Sequence, residues 1–209
     1  MQYTQPTKKQ KLGLAADTYM QIHPGLFPAE ESLFEKLLST LQFDRPKPFC
    51  GNRVRRKTAF LHMPQEDPID YRFGGQTWTS KEIPQEALHT VLKMLEICKL
   101  LSHSAPNVVL IQLYEEDGSI SWHADDESKA MVKKDGEVLP ITSFSLGGNA
   151  EFCIRPKTGK PRRTQKMLLQ NGDVLVMKQG AQERYEHRIA RGGIAAGSQR
   201  MSFTFRTQK

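Results

Sequence analysis

Two histidines and one aspartate are spaced along this chain as the ligands of a metal ion would be. His123 and Asp125 stand two positions apart in a strand-like stretch, so both side chains reach the same side. His187 lies 62 residues beyond Asp125 in another strand-like run, and it supplies a third ligand from a distant part of the fold. Two imidazoles and one carboxylate, with the other metal positions open, are typical of a non-haem Fe(II) oxygenase site.

Two arginines near the C-terminus provide groups that bind carboxylates. Arg200 follows His187 by about a dozen residues, and Arg206 comes six positions later. In a strand these two share a face with Ser202 and Thr204, because side chains alternate with a period of two. Arginine binds carboxylates through two parallel hydrogen bonds. This face therefore favours an anionic ligand beside the metal.

Two further stretches also collect polar groups on one face. Gln112 and Tyr114 fall together in 108–114, and His123 and Asp125 align in 119–125, opposite Ile120 and its alternate neighbours. For any single strand, the ordinary explanation is one wet face and one core face. The three strands together instead predict an interior lined by ligand-binding groups.

The distribution of apolar residues predicts a mostly β fold with flanking α-helices. Residues 28–41 and 84–102 carry apolar stripes at helical spacing. From residue 106 onward, β-branched and aromatic runs alternate with turn residues, which predicts a sandwich or jelly roll with both helices on one outer face. The predicted strands are 108–114, 120–124, 141–146, 151–155, 164–170, 173–178, 185–189 and 200–206. The 45–80 region is loop-rich, basic and aromatic, and we expect two short strands in it.

The length of 209 residues favours one domain, which we place at 15–209 behind a flexible tail of residues 1–14. Helices and loops occupy about 15–105 of it, and the jelly-roll core about 106–209. The tail lacks the apolar centre of a secretory signal, and no apolar run is long enough to cross a bilayer. Three widely spaced cysteines indicate small buried hydrophobes rather than disulfides or zinc ligands. These features predict an intracellular monomer of the nucleus or cytoplasm that is not secreted and has no membrane partner.

A net charge of +7 and a pI near 9.3 come largely from two clusters of basic residues. Clusters of this kind suit a phosphate backbone, but they are also found on ordinary solvated surfaces, and charge alone does not decide between the two. The clusters are Arg45, Lys47, Arg53, Arg55, Arg56 and Lys57, and Arg155, Lys157, Lys160, Arg162, Arg163 and Lys166.

The segment from residue 107 to the C-terminus resembles the AlkB-like Fe(II)/2-oxoglutarate-dependent dioxygenases, and it is most similar to their nucleic-acid repair branch. The matching stretches, in the family's order, are 108–114, 116–118, 123–127, 140–147, 152–155, 172–177, His187 and 200–206. Thinner matches at 56–59 and 71–75 resemble the family's nucleotide-recognition loops. The resemblance implies a double-stranded β-helix core with an N-terminal nucleotide-recognition region.

The same resemblance implies a role for each candidate site residue. His123, Asp125 and His187 would hold Fe(II). Arg200 would bind the distal carboxylate of 2-oxoglutarate with help from Tyr114, and Arg206 would lie by the carboxylate next to the keto group. Gln112 and Ser202 occupy cosubstrate positions where the family usually has asparagine, which puts the strength of 2-oxoglutarate binding in question. The residues implied to contact the nucleic acid are Arg56, Tyr71, Arg72, Phe73, Asp126 and Glu127.

The activity that follows is oxidative demethylation of N-alkylated bases in DNA or RNA. It would use Fe(II), 2-oxoglutarate and O2, with ascorbate as reductant, and would release formaldehyde and succinate. The base must be single-stranded or flipped out of a duplex. Tyr71, Phe73 and Trp78 are candidates to stack on it, although Trp78 is better explained as a core residue. Two alternatives remain: a dioxygenase acting on a protein side chain or small molecule, and a catalytically decayed nucleic-acid-binding module.

Overall fold

The structure is a computed structural model that describes residues 10–11, 14–15, 18–47, 55–73, 75–103, 105–126, 133–134, 137–194 and 197–208. Strands dominate these ranges, as the alternating pattern predicted. The helices are α1 (Glu31–Thr40), α2 (Gln85–Ser102) and α3 (Ala181–Arg184). The strands are β1 (Gln10–Lys11), β2 (Met20–His23), β3 (Arg56–His62), β4 (Asp70–Phe73), β5 (Gln76–Thr79), β6 (Lys81–Glu82), β7 (Val108–Tyr114), β8 (Ile120–His123), β9 (Lys133–Lys134), β10 (Glu137–Val138), β11 (Ile141–Gly147), β12 (Ala150–Pro156), β13 (Gln165–Leu169), β14 (Val174–Met177), β15 (Tyr185–Ile194) and β16 (Arg200–Arg206).

Two sheets face each other across the molecule. The larger one has the order β1-β2-β14-β11-β16-β7-β3-β6, and the smaller one has the order β13-β12-β15-β8. Apolar side chains from both inner faces meet in one cluster, in which Leu175 and Met177 of the large sheet join Phe152 and Ile189 of the small sheet. This is the predicted jelly roll, and the prediction of fold class is confirmed.

The outer face of the large sheet is covered by α1 and α2. Leu37 of α1 and Met94 of α2 are fully buried in one cluster with Ile111, Phe203 and Phe205 of the sheet. The helices therefore bury the apolar face of β7 and β16, and the opposite face of these strands is left for polar groups. None of the helices in the described part of the chain combines the length and apolar character needed to span a bilayer.

The observed boundaries follow the sequence signals closely. Strands β7 and β16 have the predicted limits, and α2 begins directly after Pro84 and ends at Ser102, followed by His103 in a left-handed conformation. Helix α1 begins at Glu31, three residues later than predicted. Strand β2 was not predicted, and the 45–80 region holds three strands, β3, β4 and β5, where two short ones were expected. Strands β2 and β3 lengthen the large sheet on either side. Strand β1 pairs with β2 and lies within the stretch predicted as a flexible tail. Leu14 is the only other residue of that stretch that the structure describes.

One predicted alternation is wrong. Strict alternation over 119–125 would put Ile120 opposite His123, but both lie toward the interior: Ile120 packs against the inner cluster, and His123 lines the cavity described below. The cause is a register shift between β8 and β15, where His187 pairs with His123 and Ile189 pairs with Ile120. Three residue steps on β8, from Ile120 to His123, therefore span the same length as two steps on β15, from Ile189 to His187. The extra residue on β8 forms a β-bulge.

Shortening a side chain between the large sheet and the helices tests this arrangement. Phe203→Ala should lower the free energy of unfolding by about 3–5 kcal/mol, because it leaves a cavity at a fully buried position. Urea unfolding monitored by circular dichroism measures the change. Leu168→Ala, at a position 57% exposed, is the control and should change stability by less than about 0.5 kcal/mol. Equal effects of the two substitutions would contradict the packing described.

Candidate active site

A cavity of about 940 Å³ opens between the two sheets. Its floor includes the polar faces of β7 and β16, as alternation predicted. Its other wall is formed by β8, β12 and β15 of the small sheet, and the β4–β5 hairpin and the start of β3 also line it. Its mouth is marked by the exposed lining residues, among them Lys47, Arg55 and Arg191. The lining residues used below are Arg56, Tyr71, Phe73, Trp78, Gln112, Tyr114, His123, Asp125, His187, Arg188, Arg200, Ser202 and Arg206.

The structure brings His123, Asp125 and His187 together in this cavity. Their potential ligand atoms all lie within 4.8 Å of one another. The His123 Nε2 atom is 3.8 Å from one carboxylate oxygen of Asp125, and the His187 Nε2 atom is 3.9 Å from the other. No other group of three potential ligands was found among the described residues. Two imidazole nitrogens and one carboxylate oxygen thus surround a single point.

Local contacts orient each of these side chains. The His123 Nδ1 atom lies 2.8 Å from the Ser121 carbonyl oxygen; if Nδ1 carries the proton and donates it there, Nε2 is left with a lone pair toward Asp125. The His187 ring stacks on Phe152 with centroids 5.4 Å apart. The backbone N–H of Asp125, just beyond the end of β8, donates to the Gln182 side-chain oxygen at 2.9 Å. Gln182 was not identified from the sequence, since a buried glutamine on a one-turn helix carries no recognisable pattern.

Electrostatics keep these groups in the forms that bind metals. Burial, together with the neighbouring His123, lowers the pKa of His187 to about 3 although Asp125 raises it, so His187 is a neutral imidazole at pH 7. Burial alone would raise the pKa of Asp125. The Arg206 guanidinium, 3.6 Å away, and the two histidines outweigh burial and bring this pKa down to about 2. Asp125 is therefore ionised across the physiological range.

Arg206 connects the metal cluster to the aromatic hairpin. It is 2% exposed, and besides approaching Asp125 it donates a hydrogen bond to the Tyr71 hydroxyl at 2.7 Å. Tyr71 is itself 1% exposed, so its ring is part of the cavity wall rather than an open stacking surface. The hairpin and the C-terminal strand therefore share a buried polar contact.

Arg200 is the second buried cation. It is also 2% exposed, donates to the Ser145 hydroxyl at 2.9 Å and lies over the Tyr114 ring. Its Nε atom has no hydrogen-bond partner among the described residues. Burial lowers the pKa of Arg200, which shows that the charge is costly at this position. A bound carboxylate would offset that cost and accept the remaining donors.

Gln112 and Ser202 lie side by side between the two arginines. They are direct neighbours across β7 and β16, and both face the cavity. Tyr114 donates its hydroxyl proton to the Gln112 side-chain oxygen at 2.7 Å. Gln112 and Ser202, the two positions where the family usually has asparagine, are therefore adjacent in space.

A family model described as the 2OG-Fe(II) oxygenase superfamily matches residues 20–206. The chain belongs to this family. It is 31% identical over 156 residues to alpha-ketoglutarate-dependent dioxygenase alkB homolog 3 of Bos taurus, covering 68% of this chain and 52% of that protein. It is 30% identical over 159 residues to the RNA replication protein of Grapevine virus A, covering 76% of this chain and 8% of that protein. The solved structure of OsALKBH1 has the same fold, with a TM-score of 0.59 at 17% identity over 96% of this chain and all of that one.

These similarities confirm the AlkB-like resemblance seen in the sequence. The chain spans about half of the bovine relative and less than a tenth of the viral one. Fe(II), 2-oxoglutarate and O2 are the cofactor and cosubstrates of a 2OG-Fe(II) oxygenase, so this prediction is confirmed for the family. Ascorbate stays a prediction.

The residues in this structure fit both groups that the family uses. Neutral imidazoles and an ionised carboxylate are the donor set of a non-haem Fe(II) site. Arg200 and Arg206 are two buried cations on one strand face beside it, which suits a dicarboxylate. Their arrangement supports the roles expected for His123, Asp125, His187 and the two arginines.

The structure places three of the six predicted substrate residues in the wall of the cavity. Arg56, Tyr71 and Phe73 line the cavity, and Phe73 stacks on Trp78 at 5.1 Å between centroids. Trp78 is buried, as expected of a core residue, but it also borders the cavity. Arg72 is exposed and does not line the cavity.

Asp126, one of the two acidic residues expected to position the base, is not brought into the cavity. Asp126 is exposed and forms an ion pair with Lys157 at 2.5 Å, and it does not line the cavity. The backbone turns away after Asp125, which is held by Gln182, so the next side chain points to the surface. Glu127 lies outside the described residues, as does Arg53 of the basic cluster.

Removing one histidine tests the metal site directly. His187→Ala should weaken Fe(II) binding by more than about 100-fold, because it deletes a ligand rather than an outer contact. Anaerobic equilibrium dialysis measures the affinity. His89→Ala, an exposed position on α2, is the matched control and should bind as the native chain does. If His187→Ala retained its affinity for Fe(II), His187 would not be a ligand of the metal.

Truncating the last arginine tests the carboxylate site. Arg206→Ala should weaken 2-oxoglutarate binding by at least about 30-fold, since a charged hydrogen bond at a buried position is lost. Calorimetric titration of the Mn(II)-loaded protein gives the affinity. Arg163→Ala removes the same charge from an exposed position and should have no effect. Unchanged 2-oxoglutarate affinity in Arg206→Ala would place the cosubstrate elsewhere.

Proposed function

We propose that this chain is an oxidative demethylase of N-alkylated bases in nucleic acid. The observation that carries the proposal is the shared cavity, in which a cluster of two histidines and one carboxylate lies beside two buried arginines. Fe(II) held by His123, Asp125 and His187, together with 2-oxoglutarate and O2, would supply the oxidation of an N-methyl group. The expected products are succinate, carbon dioxide, formaldehyde and the demethylated base.

The chain itself would contribute binding, orientation and exclusion of water. Arg206 would bind the carboxylate of 2-oxoglutarate that lies nearest the metal. Its contact with Asp125 would hold the guanidinium next to the metal ligands. Arg200, supported by Ser145, would bind the distal carboxylate at the other end of the strand. Because the cavity lies between two packed sheets, a reacting group inside it is shielded from bulk water.

A nucleic acid is the substrate class that the cavity mouth favours. Arg55, Arg56 and Lys47 border the mouth, and their charge suits phosphates. Phe73 and Trp78 form a stacked pair on the hairpin wall, and aromatic walls of this kind hold single-stranded or flipped bases. We propose RNA rather than DNA as the substrate, because one relative is named as an RNA replication protein.

Two other functions are possible for such a site. A dioxygenase of the same chemistry acting on a protein side chain or a small molecule would use the same metal and arginine residues. A decayed binding module would have lost them. The clustered ligands and the buried arginines argue against decay, and the basic mouth argues for nucleic acid over a small neutral molecule.

The decisive assay incubates the chain with Fe(II), 2-oxoglutarate and ascorbate in the presence of N-methylated RNA or DNA oligonucleotides. Mass spectrometry should detect loss of one methyl group from the oligonucleotide, with succinate formed in equal amount. Asp125→Ala is the negative control, because it removes a metal ligand. Turnover of peptides or free nucleotides in place of oligonucleotides would favour the small-molecule or protein alternative. Absence of 2-oxoglutarate binding would favour the decayed module.

A further inference from the structure

Two arginines lie over a tryptophan beside the metal cluster. Trp122 directly precedes His123 on β8, which is an edge strand of the small sheet. The guanidinium carbons of Arg155 and Arg188 are 4.0 and 4.6 Å from the centre of its ring. Contact with an aromatic face holds a guanidinium in a defined plane and leaves its N–H edges available to an acceptor.

Arg155 and Arg188 differ in the hydrogen bonds that their N–H groups make. Arg155 donates to Glu186, which also receives a hydrogen bond from Arg162. The Nε atom of Arg188 is buried and has no hydrogen-bond partner among the described residues, and Arg188 lines the cavity while Arg155 does not. Arg188 is therefore the cation of this pair that lines the cavity and has an unpaired donor.

Cations line the cavity from two parts of the fold. Arg188 and the exposed Arg191 belong to β15 of the small sheet. Lys47 and Arg55 are exposed lining residues that precede β3 in the chain, and Arg55 also lies 3.6 Å from Asp117. A strand whose base enters the cavity has one phosphate before that base and one after it, so it can contact both groups of cations. A free nucleotide lacks this second phosphodiester.

We propose that Arg188, oriented by Trp122, binds a backbone phosphate next to the base that enters the cavity. The guanidinium edge matches a phosphate through two parallel hydrogen bonds. This contact makes Arg188 a specificity residue that favours a strand over a free nucleotide. The inference rests on the proposed function, because it assigns the path of that substrate across the same cavity.

Binding of a fluorescein-labelled, unmethylated single-stranded RNA tests the inference. Fluorescence anisotropy would be recorded over a series of salt concentrations for the native chain, Arg188→Gln, Arg188→Lys and Lys99→Gln. Lys99 is an exposed cation on α2, on the outer face of the fold, and it serves as a control for loss of charge. Circular dichroism and 2-oxoglutarate binding report whether each variant is folded.

Arg188→Gln should weaken RNA binding about 10-fold and lower the slope of log affinity against log salt by about 0.7, the value for one phosphate contact on a single strand. Arg188→Lys should retain the slope but bind more weakly than the native chain, because an ammonium cannot form the two parallel bonds. Lys99→Gln should match the native chain in both quantities.

Equal affinity and slope for Arg188→Gln and Lys99→Gln would overturn the inference. If the native chain still demethylates RNA in that case, the proposed function stands and only the role of Arg188 fails. If the native chain neither binds nor demethylates any oligonucleotide, the proposed function fails as well.

Discussion

The contact between Asp125 and Arg206 is the interaction on which the site depends. The carboxylate oxygen and the guanidinium nitrogen are 3.6 Å apart, and both side chains are buried in the wall of the cavity. Burial raises the pKa of Asp125, and Arg206 is the largest of the charges that lower it, so the arginine helps to keep the carboxylate in the form that binds metals. Asp125 in turn gives the buried guanidinium an anionic partner.

This pair also explains why the fold needs two sheets. Asp125 comes from the end of β8 in the small sheet, and Arg206 comes from the end of β16 in the large sheet. Packing of the inner faces brings the two strand ends together, and the helices on the outer face bury the apolar side of β16. The polar face of β16 is then free to line the cavity. Packing and chemistry use opposite faces of the same strand.

Periodicity was enough to predict the parts of the fold that have a clear alternation. Strand β16 alternates polar and apolar residues throughout, and β7 does so from Ile111 to Tyr114; the limits and faces of both strands agree with the sequence. The bulge between β8 and β15 could not be predicted, because it depends on pairing with a strand more than sixty residues away. Gln182 and the Tyr71–Arg206 contact were missed for the same reason. Asp126 was placed by resemblance, and the structure shows it paired with Lys157 instead of facing the cavity.

The central claim is that three side chains bind one metal ion beside an arginine-bound diacid. Anomalous X-ray diffraction from crystals grown with Mn(II) and 2-oxoglutarate without oxygen tests it most directly. The account predicts one metal peak within bonding distance of His123, Asp125 and His187, with the two carboxylates of the diacid on Arg200 and Arg206. A metal bound elsewhere, or a diacid that contacts neither arginine, would contradict it.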